Sequence, residues 1–337
     1  MTVLTDQFTE ELISIDLHLR KAVYGLRNPA ASIAAYHFGW EDADGELTEA
    51  NSGKALRPLL TLLAAKTVAE EWRAALPAAV AVELVHNFSL VHDDVIDRDE
   101  FRRHRPTVWK VFGANDAILV GDALHALAFE TIAEADDAHA AAAARLLSRT
   151  VRTLIEGQFA DIRFEGRTSI DLAECIAMSE NKTASLMGCA TALGALYGGG
   201  SQAHVDALWD FGFRLGTAFQ HIDDLLGIWG DPEATGKSVY SDLRSRKKSL
   251  PVTAALRSGD PRAEELARLY HSDAPLDDAA LDRAAELVEA CGGRRYCRES
   301  AEALVEEAVA SLRVRGLDAA AVADLGELAA STVSRVR

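Results

Sequence analysis

Proline is missing from the whole stretch between Pro106 and Pro232. Proline breaks helix interiors, so that gap leaves room for long uninterrupted helices. Cysteine is scarce: Cys175, Cys189, Cys291 and Cys297 form no CxxC pair and no His/Cys cluster at zinc-ligand spacing. That excludes a disulfide framework and a zinc module, and a reducing, cytoplasmic setting is expected. A basic surplus is lacking too. Net charge is −17 and the pI about 5.0, which argues against a nucleic-acid surface. The first residues, Met1–Asp6, lack the basic start and apolar run of a signal peptide. Finally, no Asp, Glu, Lys or Arg occurs from Thr183 to Val205. This stretch is rich in small residues, poor in large apolar ones, and holds Gly198-Gly199-Gly200. It reads as a buried core helix rather than a membrane span.

What is abundant favours helix: alanine, leucine, glutamate and arginine. Helices are predicted over 78–97, 116–135, 138–164, 170–197 and 203–229, with loops around 39–54, 98–115, 230–250 and 257–276. Convincing period-2 strand runs and Asn-Gly or Asp-Gly hairpin signals are absent. No Pro/Ser linker divides the chain. The expected architecture is all-α: one domain over 1–337, a bundle of long helices around a central apolar cavity.

Two acidic clusters sit in apolar, helix-like surroundings: Asp93-Asp94-Val95-Ile96-Asp97, and Asp223-Asp224 within Phe219-Gln220-His221-Ile222-Asp223-Asp224. Carboxylates are costly to bury alone. Asp93 and Asp97 are four residues apart and share a helix face, where they can hold metal jointly. Mg²⁺ on a diphosphate suits such donors, because it takes carboxylate and phosphate oxygens and keeps some water. Asp277-Asp278 serves as a control: it follows Pro275, opens an alanine-rich segment and lacks nearby basic partners, so it reads as a helix N-terminus. Asp136-Asp137 is read as equally ordinary. The first cluster differs through Arg98, Arg102, Arg103 and Arg105 just after it, since guanidinium forks match phosphate oxygens.

The run from His92-Asp93-Asp94 through Asp97, Arg102-Arg103 and Pro106-Thr107 resembles the first aspartate-rich motif of the trans-isoprenyl diphosphate synthases. Further segments extend the resemblance over about residues 50–250. Gly53-Lys54-Ala55-Leu56-Arg57-Pro58 is similar to the family's GKxxRP segment, and Glu156-Gly157-Gln158-Phe159-Ala160-Asp161 to its GQxxD helix. Lys182-Thr183 is similar to its KT motif. Phe219-Gln220 through Asp224, then Gly236-Lys237 and Asp242, is similar to its second aspartate-rich region.

The resemblance implies Mg²⁺-dependent head-to-tail condensation of isopentenyl diphosphate with dimethylallyl, geranyl or farnesyl diphosphate, with three ions per site, in a homodimer. It implies metal ligation by Asp93, Asp94, Asp97, Asp223 and Asp224. Arg102, Lys182, Lys237 and Lys247 match groups gripping the allylic diphosphate. Lys54, Arg57, His86 and Arg103 match the isopentenyl diphosphate site. Thr183 and Gln220 match polar groups beside the developing cation. The bland reading of His86 is a satisfied core histidine, and of Lys237 a loop lysine.

One position departs from the pattern. Gly227 stands where the family's second motif usually ends in a third aspartate, and Asp231 is the nearest later carboxylate. For product length the resemblance points to Phe88 and Ser89, which lie ~6–8 Å down the helix from Asp93 at ~1.5 Å per residue. A large Phe88 as floor suits a short product, geranylgeranyl diphosphate first and farnesyl diphosphate second. The alternative is that Phe88 merely packs in the core. Two other functions stay open: a class I terpene cyclase needing one diphosphate, and a non-catalytic subunit of a heteromeric synthase.

Overall fold

The structure, a computed structural model, describes residues 7–48, 55–134, 138–231, 239–272 and 274–334. Met1–Asp6, Gly53, Lys54, Asp136, Asp137, Gly236 and Lys237 lie outside the described residues.

Regular structure is helical. Helices α1 (Thr9–Val23), α2 (Ala30–Phe38) and α3 (Leu56–Lys66) precede α4 (Leu76–Asp97), the predicted 78–97 helix. Pro77 sits in the first turn of α4, where a missing N–H costs nothing. The helix stops at Arg98, whose left-handed backbone (φ 57°) lets its N–H close on the Asp94 carbonyl.

Next comes a hairpin that the sequence did not announce. Strands β1 (Phe101–Arg102) and β2 (Arg105–Pro106) pair antiparallel around Arg103 (φ 51°) and His104 (φ 63°). Such a turn ordinarily takes Asn-Gly. Two non-glycine residues in left-handed backbone cost ~1–3 kcal/mol each, so the surroundings must hold them. Arg105 does so. Its Nη1 and Nη2 donate to the carbonyls of Tyr36 (3.0 Å) and Glu41 (2.8 Å), and its guanidinium stacks on the Tyr36 ring.

Helices α5 (Val108–Phe112), α6 (Ala114–Glu134) and α7 (Ala140–Glu165) come after the hairpin. The predicted helix over 170–197 is instead three pieces: α8 (Leu172–Ser179), a π turn (Glu180–Ala184) and α9 (Ser185–Tyr197). A π turn inserts a residue and rotates the helix beyond it, a common device at functional sites. Then come α10 (Gln202–Trp229), α11 (Ser241–Arg244), α12 (Leu250–Leu256), α13 (Ala263–His271), α14 (Asp278–Ala290), α15 (Gly293–Ser311) and α16 (Ala319–Val333). Helices α5, α11 and α13 fall inside predicted loops; α5 and α11 are too short to leave a clear apolar period, whereas α13 carries one in Ala263, Leu266 and Tyr270. Asp277 caps α14 by accepting from Ala280 N (2.9 Å), as its composition suggested.

The chain divides into two compact units. One comprises Met1–Val151, Cys189–Trp209 and Val314–Leu325; the other comprises Arg152–Gly188, Asp210–Arg313 and Gly326–Arg337. In the first, α4 packs along α6, and Leu84, Leu124 and Ile132 are fully buried. Each such side chain contributes ~1.5–3 kcal/mol. In the second, Cys175, Cys297, Ile222 and Leu225 share one apolar cluster. All four cysteines are free and buried, and burial pushes the Cys175 thiol up to about 12, so they pack as small hydrophobes. The small-residue stretch is buried as expected: Met187, Cys189, Ala192 and Leu193 are inaccessible. Among the described residues one helical stretch, Trp72–Asp97, is long and apolar enough to cross a membrane, and 72% of its apolar window is buried within the fold.

Candidate active site

Asp93, Asp94 and Asp97 occupy the last turn of α4 in the first unit. They are not equivalent. Asp93 is half-buried and Asp97 exposed, whereas Asp94 is 1% exposed and committed to Arg102. Arg102 Nη2 and Nε donate to Asp94 Oδ1 at 2.7 and 2.9 Å. Burial raises the Asp94 carboxyl above the usual range despite this partner. For Arg102 burial works downward, but the Asp94 hydrogen bond prevails and holds it charged.

A basic set lies in the same unit. Arg57, in the first turn of α3, donates from Nη1 to His86 Nε2 on α4 (3.2 Å). Arginine can only donate, so Nε2 is the bare nitrogen and the His86 proton sits on Nδ1. Burial, then Arg57 and Arg103, depress the His86 pKa well below its ordinary value. Beneath this pair runs a buried relay. Asn87 Nδ2 donates to the Glu83 carboxylate (2.9 Å) and carbonyl (2.8 Å), and Asn87 Oδ1 accepts from His37 Nε2 on α2 (3.0 Å). Burial raises Glu83, while Arg57 and Arg103 pull it back. Burial also drives His37 down to about 3, followed in effect by Arg103 and Arg102. Arg103 reaches this cluster from the left-handed turn of the hairpin.

The second unit carries the other group. Gly157 on α7 lets the π turn approach closely: a Cβ there would lie 2.4 Å from Lys182 N. Lys182 Nζ then meets Asp161, one turn further along α7, at 2.8 Å. Thr183 Oγ1 donates to Gln220 Oε1 (2.7 Å), Gln220 Nε2 donates to Asp224 Oδ1 (2.7 Å), and Asp224 Oδ2 accepts from Leu250 N (2.8 Å). Asp224 is buried, which lifts its carboxyl to about 6, while Asp223 is exposed. Lys247 stands among carboxylates. Burial works against its charge, but Asp242, Asp224, Asp161 and Asp223, in that order, raise its pKa.

Phe88 is 7% exposed and belongs to an aromatic ladder between α4 and α6. Its ring lies 5.3 Å from His92 and 5.0 Å from His125, which in turn lies 5.2 Å from Phe129. Ser89 Oγ donates back to the His86 carbonyl (2.7 Å).

Sequence reasoning thus found Asp94, Arg102, Arg57, His86, Lys182, Thr183, Gln220 and Asp224 as members of real contacts. It did not single out Glu83, Asn87, His37 or His125, which the structure places in the same contact networks. Glu83 and Asn87 were findable, being three residues before and one after His86 on one helix. His37 and His125 sit on other helices with no motif around them.

The donors suit a hard cation. Asp93, Asp97 and Asp223 offer carboxylate oxygens at accessible positions. Among the described residues no three His, Cys, Asp or Glu side chains converge on one point. In either unit, an ion at these carboxylates would complete its shell with phosphate oxygens and water, as Mg²⁺ habitually does.

The helical fold carries a DDxxD turn, a half-buried basic set and a lysine-bearing π turn, and comparison with known proteins gives the class, a prenyltransferase. The polyprenyl synthetase family model matches residues 46–288, and the chain belongs to that family. It is 46% identical over 306 residues to a (2E,6E)-farnesyl diphosphate synthase of Mycobacterium tuberculosis, covering 90% of this chain and 85% of that one. It is 44% identical over 310 residues to a geranylgeranyl diphosphate synthase of the same organism, covering 91% and 89%. A crystal structure of a polyprenyl synthetase from Streptomyces coelicolor A3(2) matches with a TM-score of 0.92 at 44% identity, covering 96% and 98%. The family in general is magnesium-dependent.

Proposed function

We propose that this chain condenses isopentenyl diphosphate head to tail with dimethylallyl, geranyl or farnesyl diphosphate, releasing a short all-trans prenyl diphosphate. Geranylgeranyl diphosphate is the first expectation and farnesyl diphosphate the second. The observation that carries the reading is the half-buried basic set of Arg57, His86 and Arg103, in the same unit as the DDxxD turn. A cyclase handles one diphosphate and has no use for a second anion site.

In this reading Asp93, Asp97, Asp223 and Asp224 hold the metal ions, three per site. Asp94 shares that duty and also orients Arg102. Mg²⁺ supplies charge neutralisation for the leaving diphosphate. Arg102, Lys182, Lys237 and Lys247 grip that diphosphate as the allylic C–O bond breaks and its electron pair departs. Lys54, Arg57, His86 and Arg103 hold isopentenyl diphosphate, whose double-bond electrons form the new C–C bond before a proton leaves. Thr183 and Gln220 place oxygen dipoles beside the positive charge. Phe88 and Ser89 set the room for the growing tail. The chain works as a single polyprenyl synthetase domain, in a cytoplasmic homodimer.

The test is a product assay with Mg²⁺, isopentenyl diphosphate and each allylic primer in turn, products being dephosphorylated and sized by chromatography. Linear alcohols longer than the primer are expected. A cyclic hydrocarbon formed without isopentenyl diphosphate would instead establish a cyclase. No turnover with any primer would favour a partner subunit.

A further inference from the structure

Gly227 looks like a lost ligand, yet its surroundings show a site that another residue has filled. A Cβ at position 227 would lie 2.5 Å from Asp242 Cγ, 2.5 Å from Oδ2 and 2.7 Å from Oδ1. Carbon atoms never approach so closely without displacing something, so the Asp242 carboxylate occupies the space of the absent side chain. Asp242 is 7% exposed.

The chain is built to put it there. Ser241 Oγ donates either to the Gly227 carbonyl (3.2 Å) or to Asp242 Oδ1 (3.4 Å), and Tyr240 N reaches the Ile228 carbonyl (3.4 Å). These contacts clip α11 to the end of α10. Lys247 N donates to the Asp242 carbonyl (2.8 Å), folding the lysine back onto the same turn. Tyr240 (φ 62°) and Arg246 (φ 51°) bracket the turn in left-handed backbone, a cost that only fixed surroundings sustain. Asp231, the other nearby carboxylate, is exposed at the end of α10.

A buried carboxylate needs a cation. The backbone bond from Lys247 to Asp242 brings a cation onto this turn, and Asp242 supports its charge more strongly than Asp224, Asp161 or Asp223.

We propose that Gly227 and Asp242 are one device: the glycine opens a hollow on α10, and the Asp242 carboxylate fills it to hold Lys247 within the second acidic set. Asp242 thereby takes the part of the missing third aspartate as a positioning residue. Its effect on catalysis rests on the reading that Lys247 grips the allylic diphosphate. A further consequence is that restoring a side chain at 227 harms the site rather than repairing it.

The test is a double-mutant cycle on the full chain, with affinity for inorganic diphosphate plus Mg²⁺ measured by isothermal titration calorimetry. Gly227→Ala and Asp242→Asn should each weaken binding roughly tenfold, and the double variant should be no weaker than either single one. The KM for the allylic diphosphate should rise by the same factor while that for isopentenyl diphosphate stays within about twofold, a split that general loosening would not give. Asp242→Asn keeps the side-chain shape, so it decides the matter should Gly227→Ala fail to fold. Wild-type affinity in Asp242→Asn, or roughly hundredfold additive loss in the double variant, would overturn the proposal. Failure of wild-type protein to condense prenyl substrates would overturn the functional reading alone, because the binding cycle is read with inorganic diphosphate.

Discussion

Arg102 clasps Asp94 with two nitrogens, Nη2 at 2.7 Å and Nε at 2.9 Å from the same oxygen. Of three aspartates in one helical turn, the middle one is therefore turned inward while Asp93 and Asp97 lie at accessible positions. Asp94 thus fixes the Arg102 guanidinium in place. The motif divides its labour because consecutive residues on a helix point about 100° apart.

That division can be tested by comparing single alanine variants. Asp93→Ala should abolish turnover at saturating Mg²⁺; retained activity would remove it as a metal ligand. Asp94→Ala strips the partner from a mostly buried guanidinium, and breaking such pairs costs ~3–5 kcal/mol. It should lower Tm measurably as well as activity, with an unchanged Tm showing that the pair does no structural work.

The relay beneath Arg57 and His86 makes a separate prediction for the other substrate. Asn87→Ala removes the donor to Glu83 and the acceptor for His37 at once. The KM for isopentenyl diphosphate should rise roughly tenfold, on the scale of a lost charge-assisted hydrogen bond. The KM for the allylic diphosphate should hold. Steady-state kinetics varying each substrate in turn separates the two, and equal rises would reassign Asn87 to general packing.

His37 predicts a pH effect on stability. Its folded pKa is depressed from 6.5 to about 3, chiefly by burial. The native protein thus binds fewer protons than the unfolded chain. This contribution is complete above pH 6.5 and is lost as pH falls toward 3. Urea unfolding at several pH values between 7.5 and 4 should show stability falling by up to ~1.4 kcal/mol per pH unit from this one group. His37→Asn should flatten the dependence by about that amount. An unchanged slope would mean that His37 is charged in the native state.

Much of this was legible in the sequence for a physical reason. Long helices with apolar stripes leave a period, and carboxylates inside such stripes demand an explanation, so α4, α10 and both Asp clusters were readable. The π turn at Lys182 was not, because it depends on how closely Gly157 lets another helix approach. The hairpin was hidden because Arg103 and His104 occupy a turn usually given to glycine and asparagine. Asp242 stands in the sequence only as one member of a motif. Its value emerges from the hollow at Gly227, a relation between side chains that no linear spacing encodes.

The last prediction concerns product length. The sequence offers Phe88 as a floor, with ordinary core packing as its alternative. Phe88 is buried, which suits both readings, but its ring also rests 5.0 Å from His125 on α6. Two residues from two helices make a stiffer barrier than one, since neither can swing aside without displacing the other. Phe88→Ala should therefore lengthen the product, and Phe88→Ala/His125→Ala should lengthen it further, whereas His125→Ala alone should do little while Phe88 remains. Deleting the Phe88 ring also costs ~3–5 kcal/mol of stability if the space stays empty. Chromatography of dephosphorylated products from each variant, with farnesyl diphosphate as primer, reads the outcome directly. An unchanged distribution from folded, active Phe88→Ala would return Phe88 to the core and leave chain length to another residue.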